Sequence, residues 1–129
     1  MAVYVDASAI TKLIVAEDES EALKEHLALL EPLITSALSR VEVMRAANRY
    51  GQSVVPQAID VLDHFGFMEI HEQIVVTATR LPPPTMRSLD AIHLASASAL
   101  GEDLDALVTY DRRMAEAAEF HGMTVESPI

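Results

Sequence analysis

The sequence predicts one α/β domain with a mainly parallel sheet of about five strands and helices on both faces. Three observations predict it. Short apolar runs rich in Val, Ile and Leu alternate with longer segments of helical periodicity. No internal repeat, low-complexity tract or linker interrupts that alternation, so residues 1–129 read as a single domain. Finally, 129 residues of which 50% are hydrophobic suffice for one continuous core. Only 5% are aromatic, so aliphatic side chains and alanine must do the packing.

The chain opens with Ala2-Val3-Tyr4-Val5, a short β-branched run that reads as a buried strand. Asp6 follows, then a helix over 7–14. The acidic link 17–21 offers Asp18 or Ser20 as the cap of a second helix, 21–30, whose apolar stripe is Leu23, Leu27 and Leu30. Glu31-Pro32 breaks that helix, and Leu33-Ile34-Thr35 is the second strand. A helix over 38–50 stops at Gly51, and another over 54–63 begins near Pro56. The alternation of 67–71 predicts a third strand, followed by a helix over 72–80 and an extended Pro82-Pro83-Pro84 loop. A helix over 89–100 comes next, with Ser88 as its expected N-cap and Leu89, Ile92 and Ala95-Ser96 at helical spacing. The fourth strand is 106–109, the last helix 112–120, and the fifth strand 123–125.

Composition excludes several classes of function. There is no cysteine, which rules out disulfides and thiolate metal sites and fits the reducing cytoplasm, the expected location. No apolar run approaches the roughly 18 residues of a membrane span, and the N-terminus lacks the basic start of a secretory signal. The formal net charge of −11 argues against general nucleic-acid binding and toward a cationic partner, a metal site or simple solubility. A glycine-rich dinucleotide loop, a phosphate-binding P-loop and a second acid at position 8 are all absent. The only lysines are Lys12 and Lys24, so a receiver domain is excluded as well.

Four acids stand out because each falls near the start of a predicted helix: Asp6, Glu42, Asp90 and Asp111. Each has a local explanation. Asp6 and Asp111 can cap the helices that follow them, Glu42 lies at capping-box spacing from Ser39, and Asp90 suits a helix dipole. A shared site explains all four together. In an open parallel sheet the strand C-termini form one edge where ligands bind, and Asp6 and Asp111 follow strands. Clustered carboxylates repel unless a cation or protons intervene. Hard divalent ions such as Mg²⁺ or Mn²⁺ prefer such oxygen ligands. Arg45 and Arg49 share a helix stripe with Glu42, and Arg112 and Arg113 adjoin Asp111, making these arginines candidates for substrate phosphates. His93, three residues after Asp90, is expected as a packed or surface residue rather than a ligand.

The ordered set Val5-Asp6-Ala7-Ser8-Ala9, Thr35 through Glu42, Leu89-Asp90-Ala91-Ile92-His93-Leu94-Ala95 and Val108-Thr109-Tyr110-Asp111-Arg112-Arg113-Met114 resembles PIN domains, specifically VapC-type toxin ribonucleases. The resemblance covers nearly the whole chain and implies a three-layer α/β/α fold. It implies that Asp6, Glu42, Asp90 and Asp111 bind Mg²⁺ or Mn²⁺ and cut RNA, with Ser8 and Thr109 as supporting hydroxyls. It also implies a cognate VapB-like antitoxin and a homodimer, while the lack of a long apolar run leads to the expectation of no membrane association. Arg112, Arg113 and Met114 stand where some members of the wider superfamily carry a further acid, which weakens the case for a strong second metal. Two alternatives remain: a catalytically inert PIN-fold binding module, and a PIN nuclease serving RNA processing.

Overall fold

The central strand, β1 (Ala2–Val5), has all four residues buried. In the computed structural model, which describes residues 1–129, it lies mid-sheet between β2 (Leu33–Ser36) and β4 (Leu104–Val108). The outer strands are β3 (Gly66–Met68) and β5 (Val125–Glu126), giving the order β3-β2-β1-β4-β5. Every pairing is parallel. A five-stranded parallel sheet matches the expectation.

Helices α1 (Ala7–Lys12), α2 (Ser20–Ala28), α3 (Ala37–Tyr50) and α4 (Val55–Leu62) belong to the first half of the chain. Helices α5 (Glu72–Arg80), α6 (Ser88–Ala99) and α7 (Arg112–Phe120) belong to the second. Side chains of a strand point alternately to the two faces of its sheet, and the core divides accordingly. Val3, Val5 and Val108 pack with Ile10, Leu23, Val43 and Ala58 of the first-half helices. Tyr4 and Leu107 pack with Leu94, Met114 and Ala118 of α6 and α7. The result is a three-layer α/β/α domain. Each fully buried Val, Leu or Ile contributes roughly 1.5–3 kcal/mol, so these two clusters hold both helical layers to the sheet.

The chain leaves β1 toward β2 on one side and returns from β3 to β4 on the other. The switch point therefore lies between β1 and β4, where a crevice opens at the strand C-termini. No helix is long and apolar enough to cross a membrane.

Several local expectations are corrected. The third strand ends at Met68 rather than residue 71, because its partner β2 gives way to α3 after Ser36. A Cβ on Gly66 would stand 2.9 Å from Ile34 Cδ1, so glycine permits this close pairing. Helix α2 carries no side-chain cap from Asp18 or Ser20. Ser20 begins the helix, and its hydroxyl instead bonds Lys12 O and Glu17 N. Ser88 likewise lies inside α6, whose N-cap is Arg87. Leu89 is 48% exposed, so the core-facing stripe of α6 is Ala91, Leu94, Ala95 and Ala97. Gly51 does close α3, with φ at 132°.

Candidate active site

Asp6 is the deepest of the four acids, 4% exposed at the end of β1. Its Oδ1 caps α1 by accepting from Ala9 N at 3.1 Å and also accepts from Ser8 Oγ at 2.7 Å. Its Oδ2 accepts from Thr109 Oγ1 at 2.5 Å. Burial pushes the Asp6 carboxyl above the ordinary aspartate range, and the three donors offset only part of that effect.

Asp111 sits three residues beyond the last residue of β4, separated by Thr109 and Tyr110. Its Oδ1 caps α7 through Arg113 N at 2.9 Å and Met114 N at 3.1 Å, while its backbone N–H donates to Thr109 Oγ1. Its Oδ2 accepts from Arg87 at 3.4 Å. Capping and site formation are thus compatible for Asp111: one oxygen caps the helix while the other faces the cavity.

Asp90 lies in the first turn of α6, and its Oδ2 accepts from Arg87 Nε at 3.2 Å. Glu42 projects from α3 in the opposite helical layer. The expected capping box with Ser39 does not form. Ser36 is the N-cap of α3, accepting from Leu38 N, and Ser39 bonds Thr35 at 2.6 Å. Freed from a capping role, Glu42 reaches His93, whose Nε2 stands 2.6 Å from Glu42 Oε1.

All four acids line one cavity of about 330 Å³, together with Ser8, Arg87 and His93. An adjoining groove of about 520 Å³ shares Ser8, Glu42 and Asp111 and extends to Arg49, Tyr50 and Tyr110. Asp6 and Asp111 cap helices, Asp90 lies in a first turn and Glu42 one turn further along its helix; these elements are far apart in sequence, and the switch point gathers them. The acids are partnered by protein donors, and no three acidic or histidine side chains form a ready-made ion cage. Arg87 occupies the space between Asp90 and Asp111 and supplies the counter-charge there.

The arginines expected at substrate phosphates are placed differently. Arg49 lines the adjoining groove, whereas Arg45 and Arg112 are exposed and do not line the carboxylate cavity. Arg113 lines a separate depression with Pro82, Pro83 and Phe120. The cavity's own arginine is Arg87, which sequence reasoning missed. Its signal was present: it precedes Asp90 by three residues, and such spacing puts two side chains on one helix face. The same spacing brings His93 to the site. It is packed, as expected, at 3% exposed, yet it also lines the cavity.

The PIN-domain family model matches residues 3–120. Ribonuclease VapC46 of Mycobacterium tuberculosis is 45% identical over 127 residues, covering 98% of each chain. The crystal structure of Mycobacterium tuberculosis VapC20, described as a Sarcin-Ricin loop cleaving toxin, aligns with a TM-score of 0.77 at 17% identity. That alignment covers 98% of this chain and 99% of VapC20. A toxin–antitoxin complex from Klebsiella pneumoniae aligns with a TM-score of 0.74 at 23% identity, covering 100% and 98%. A parallel sheet of this order, a carboxylate crevice at its switch point and near-complete coverage by such relatives lead to one assignment: the chain belongs to the PIN-domain family, among the VapC-type toxin ribonucleases.

Proposed function

We propose that this protein is an endoribonuclease toxin of a type II toxin–antitoxin pair that hydrolyses RNA with Mg²⁺ or Mn²⁺. The observation that carries the reading is the meeting of Asp6, Glu42, Asp90 and Asp111 in one cavity at the strand C-termini. These residues suit a hard divalent ion, because every candidate ligand is a carboxylate oxygen and there is no thiolate. Asp6, Glu42, Asp90 and Asp111 would hold the ion. When bound, the ion would lower the pKa of an attacking water and offset charge on the phosphodiester.

The protein's own contributions follow from its contacts. Thr109 and Ser8 hold Asp6 in place from both sides of its carboxylate. Arg87, 65% exposed, can leave the acids and pair with a substrate phosphate through its planar guanidinium. The groove toward Arg49 and Tyr50 offers an extended strand a path away from the cavity, with a cation for phosphate and an aromatic face for a base. The reading includes a VapB-like antitoxin and self-association into a homodimer, which light scattering of the purified protein with and without the partner reports.

Purified protein free of antitoxin should cleave a cellular RNA pool when Mg²⁺ or Mn²⁺ is added and stop when EDTA removes it. Asp6→Asn and Asp90→Asn should lose activity by more than the roughly 10–100-fold typical of losing a residue behind a metal ligand, while remaining folded by circular dichroism. Cleavage unaffected by EDTA rejects metal dependence. Absence of cleavage under every metal condition favours the inert binding module.

A further inference from the structure

A hydrogen-bonded chain, buried at Tyr4 and His93 and half-buried at Glu42, runs from β1 through α6 to α3. Tyr4 OH lies 2.7 Å from His93 Nδ1, and His93 Nε2 lies 2.6 Å from Glu42 Oε1. Tyr4 is fully buried, and the two rings meet edge to face with centroids 6.0 Å apart. The chain crosses from one helical layer to the other over the carboxyl edge of the sheet. The His93 contact is the only hydrogen bond or ion pair that Glu42 makes with another side chain.

We propose that His93 is a positioning residue for Glu42: Tyr4 orients its ring so that Nε2–H, not a lone pair, faces the carboxylate and holds it at the cavity.

The assignment follows from donor and acceptor inventories. An ionised carboxylate only accepts, so the short contact to Glu42 requires a proton on Nε2. A neutral imidazole has one N–H, which leaves Nδ1 as the acceptor for the tyrosine hydroxyl. A tyrosine hydroxyl keeps its proton at neutral pH and can donate to that nitrogen. Each group in the chain then has a matched partner, in keeping with the absence of any unsatisfied buried side-chain polar atom. A nitrogen that carries a proton toward Glu42 has no lone pair for a metal. His93 is therefore not a fifth ligand, although it lines the same cavity as the acids.

Its effect is on geometry. Only Oε1 of Glu42 is bonded, so Oε2 has no protein partner. Without the histidine, the half-buried Glu42 side chain would sample several rotamers at the cavity wall and would have to be ordered each time the site assembled. Groups that orient a ligating carboxylate in this way are typically worth roughly 10–100-fold in metal affinity or activity. The proposal rests on the metal-dependent reading of the cavity.

Two measurements test it. In uniformly ¹⁵N-labelled wild-type protein, a long-range ¹H–¹⁵N spectrum of the His93 ring should show Nε2 protonated both without metal and with saturating Mg²⁺. A bare Nε2 in either state overturns the assignment, and this readout needs no variant to fold. Calorimetric titration of Mn²⁺ into wild type, His93→Leu and His93→Gln supplies the second readout. His93→Leu should weaken binding roughly 10–100-fold, and His93→Gln, whose amide N–H can reach Glu42, should recover most of that loss. Folded His93→Leu protein with wild-type affinity overturns the positioning role alone. Wild-type protein that binds no Mn²⁺ overturns the metal-dependent reading itself and this assignment with it.

Discussion

Thr109 Oγ1 donates a 2.5 Å hydrogen bond to Asp6 Oδ2, joining two residues 103 positions apart. The same oxygen accepts from the backbone N–H of Asp111 at 3.1 Å. One fully buried hydroxyl therefore ties the end of β1 to the turn after β4, across the point where the chain reverses direction along the sheet. The backbone makes the same link, since Asp6 N–H donates to Val108 O at 3.1 Å.

Thr109→Val keeps the volume and removes both bonds. It should lower stability by about 1.5–3 kcal/mol, the range for a hydrogen bond to a charged group. Thr109→Ser should retain most of that stability. Urea unfolding of the three proteins gives the comparison, and equal midpoints would show that the hydroxyl is dispensable.

The buried Asp6 carboxyl makes stability depend on pH with a definite sign. Its folded-state pKa is raised, so between the ordinary aspartate value of about 3.9 and the raised value the folded protein holds more protons than the unfolded chain. Stability from this group therefore falls as pH rises through that window. Asp6→Asn removes the effect, and its amide can be accommodated because the Thr109 hydroxyl oxygen can accept as well as donate. In EDTA, the stability of Asp6→Asn relative to wild type should grow with pH across the window and then level off. A difference that stays constant from acid to neutral pH would contradict this account.

Arg87 pairs with Asp90 and Asp111 and would compete with a cation held there. Its side chain is 65% exposed, and exposed ion pairs contribute about 0–1 kcal/mol. Arg87→Ala should therefore leave the unfolding midpoint nearly unchanged while tightening Mn²⁺ binding several-fold. RNA cleavage measured at saturating Mn²⁺ separates this competition from a substrate role: a fall in kcat/KM there assigns Arg87 to the substrate phosphate. Weaker Mn²⁺ binding by the variant would show that the guanidinium helps assemble the site instead.

The contact of Arg87 with two of the acids also shows how a guanidinium can fit this cavity. An arginine-bearing antitoxin segment should use the same chemistry, favoured by the net charge of −11. Metal should then weaken binding of such a peptide, and the peptide should weaken metal binding by the same factor. Titrating the peptide into wild type and Asp6→Asn at several Mg²⁺ concentrations measures both. Affinity indifferent to metal and mutation would place inhibition on another surface.

The sequence by itself determined the α/β class, the parallel sheet, the sites of nearly every element and the four acids worth watching. It did so because those features are local: apolar runs of strand length, helical periodicity, and prolines and glycines that end segments. The capping roles of Asp6 and Asp111 were legible for the same reason, since a cap bonds amides two or three residues away. The Ser39–Glu42 and Ser88 caps were misread because a helix boundary that shifts by one to three residues changes which side chain meets the free amides.

Only the tertiary structure decided that Glu42 and His93 meet, since they lie 51 residues apart on opposite helical layers. It alone decided that Tyr4 supports the histidine, that Thr109 braces Asp6, and that Arg87 rather than Arg45 or Arg112 enters the cavity. Sequence spacing shows which side chains share a face of one element. Which faces then meet depends on strand order and on how the two layers pack over the sheet edge, and those are set by the buried core as a whole.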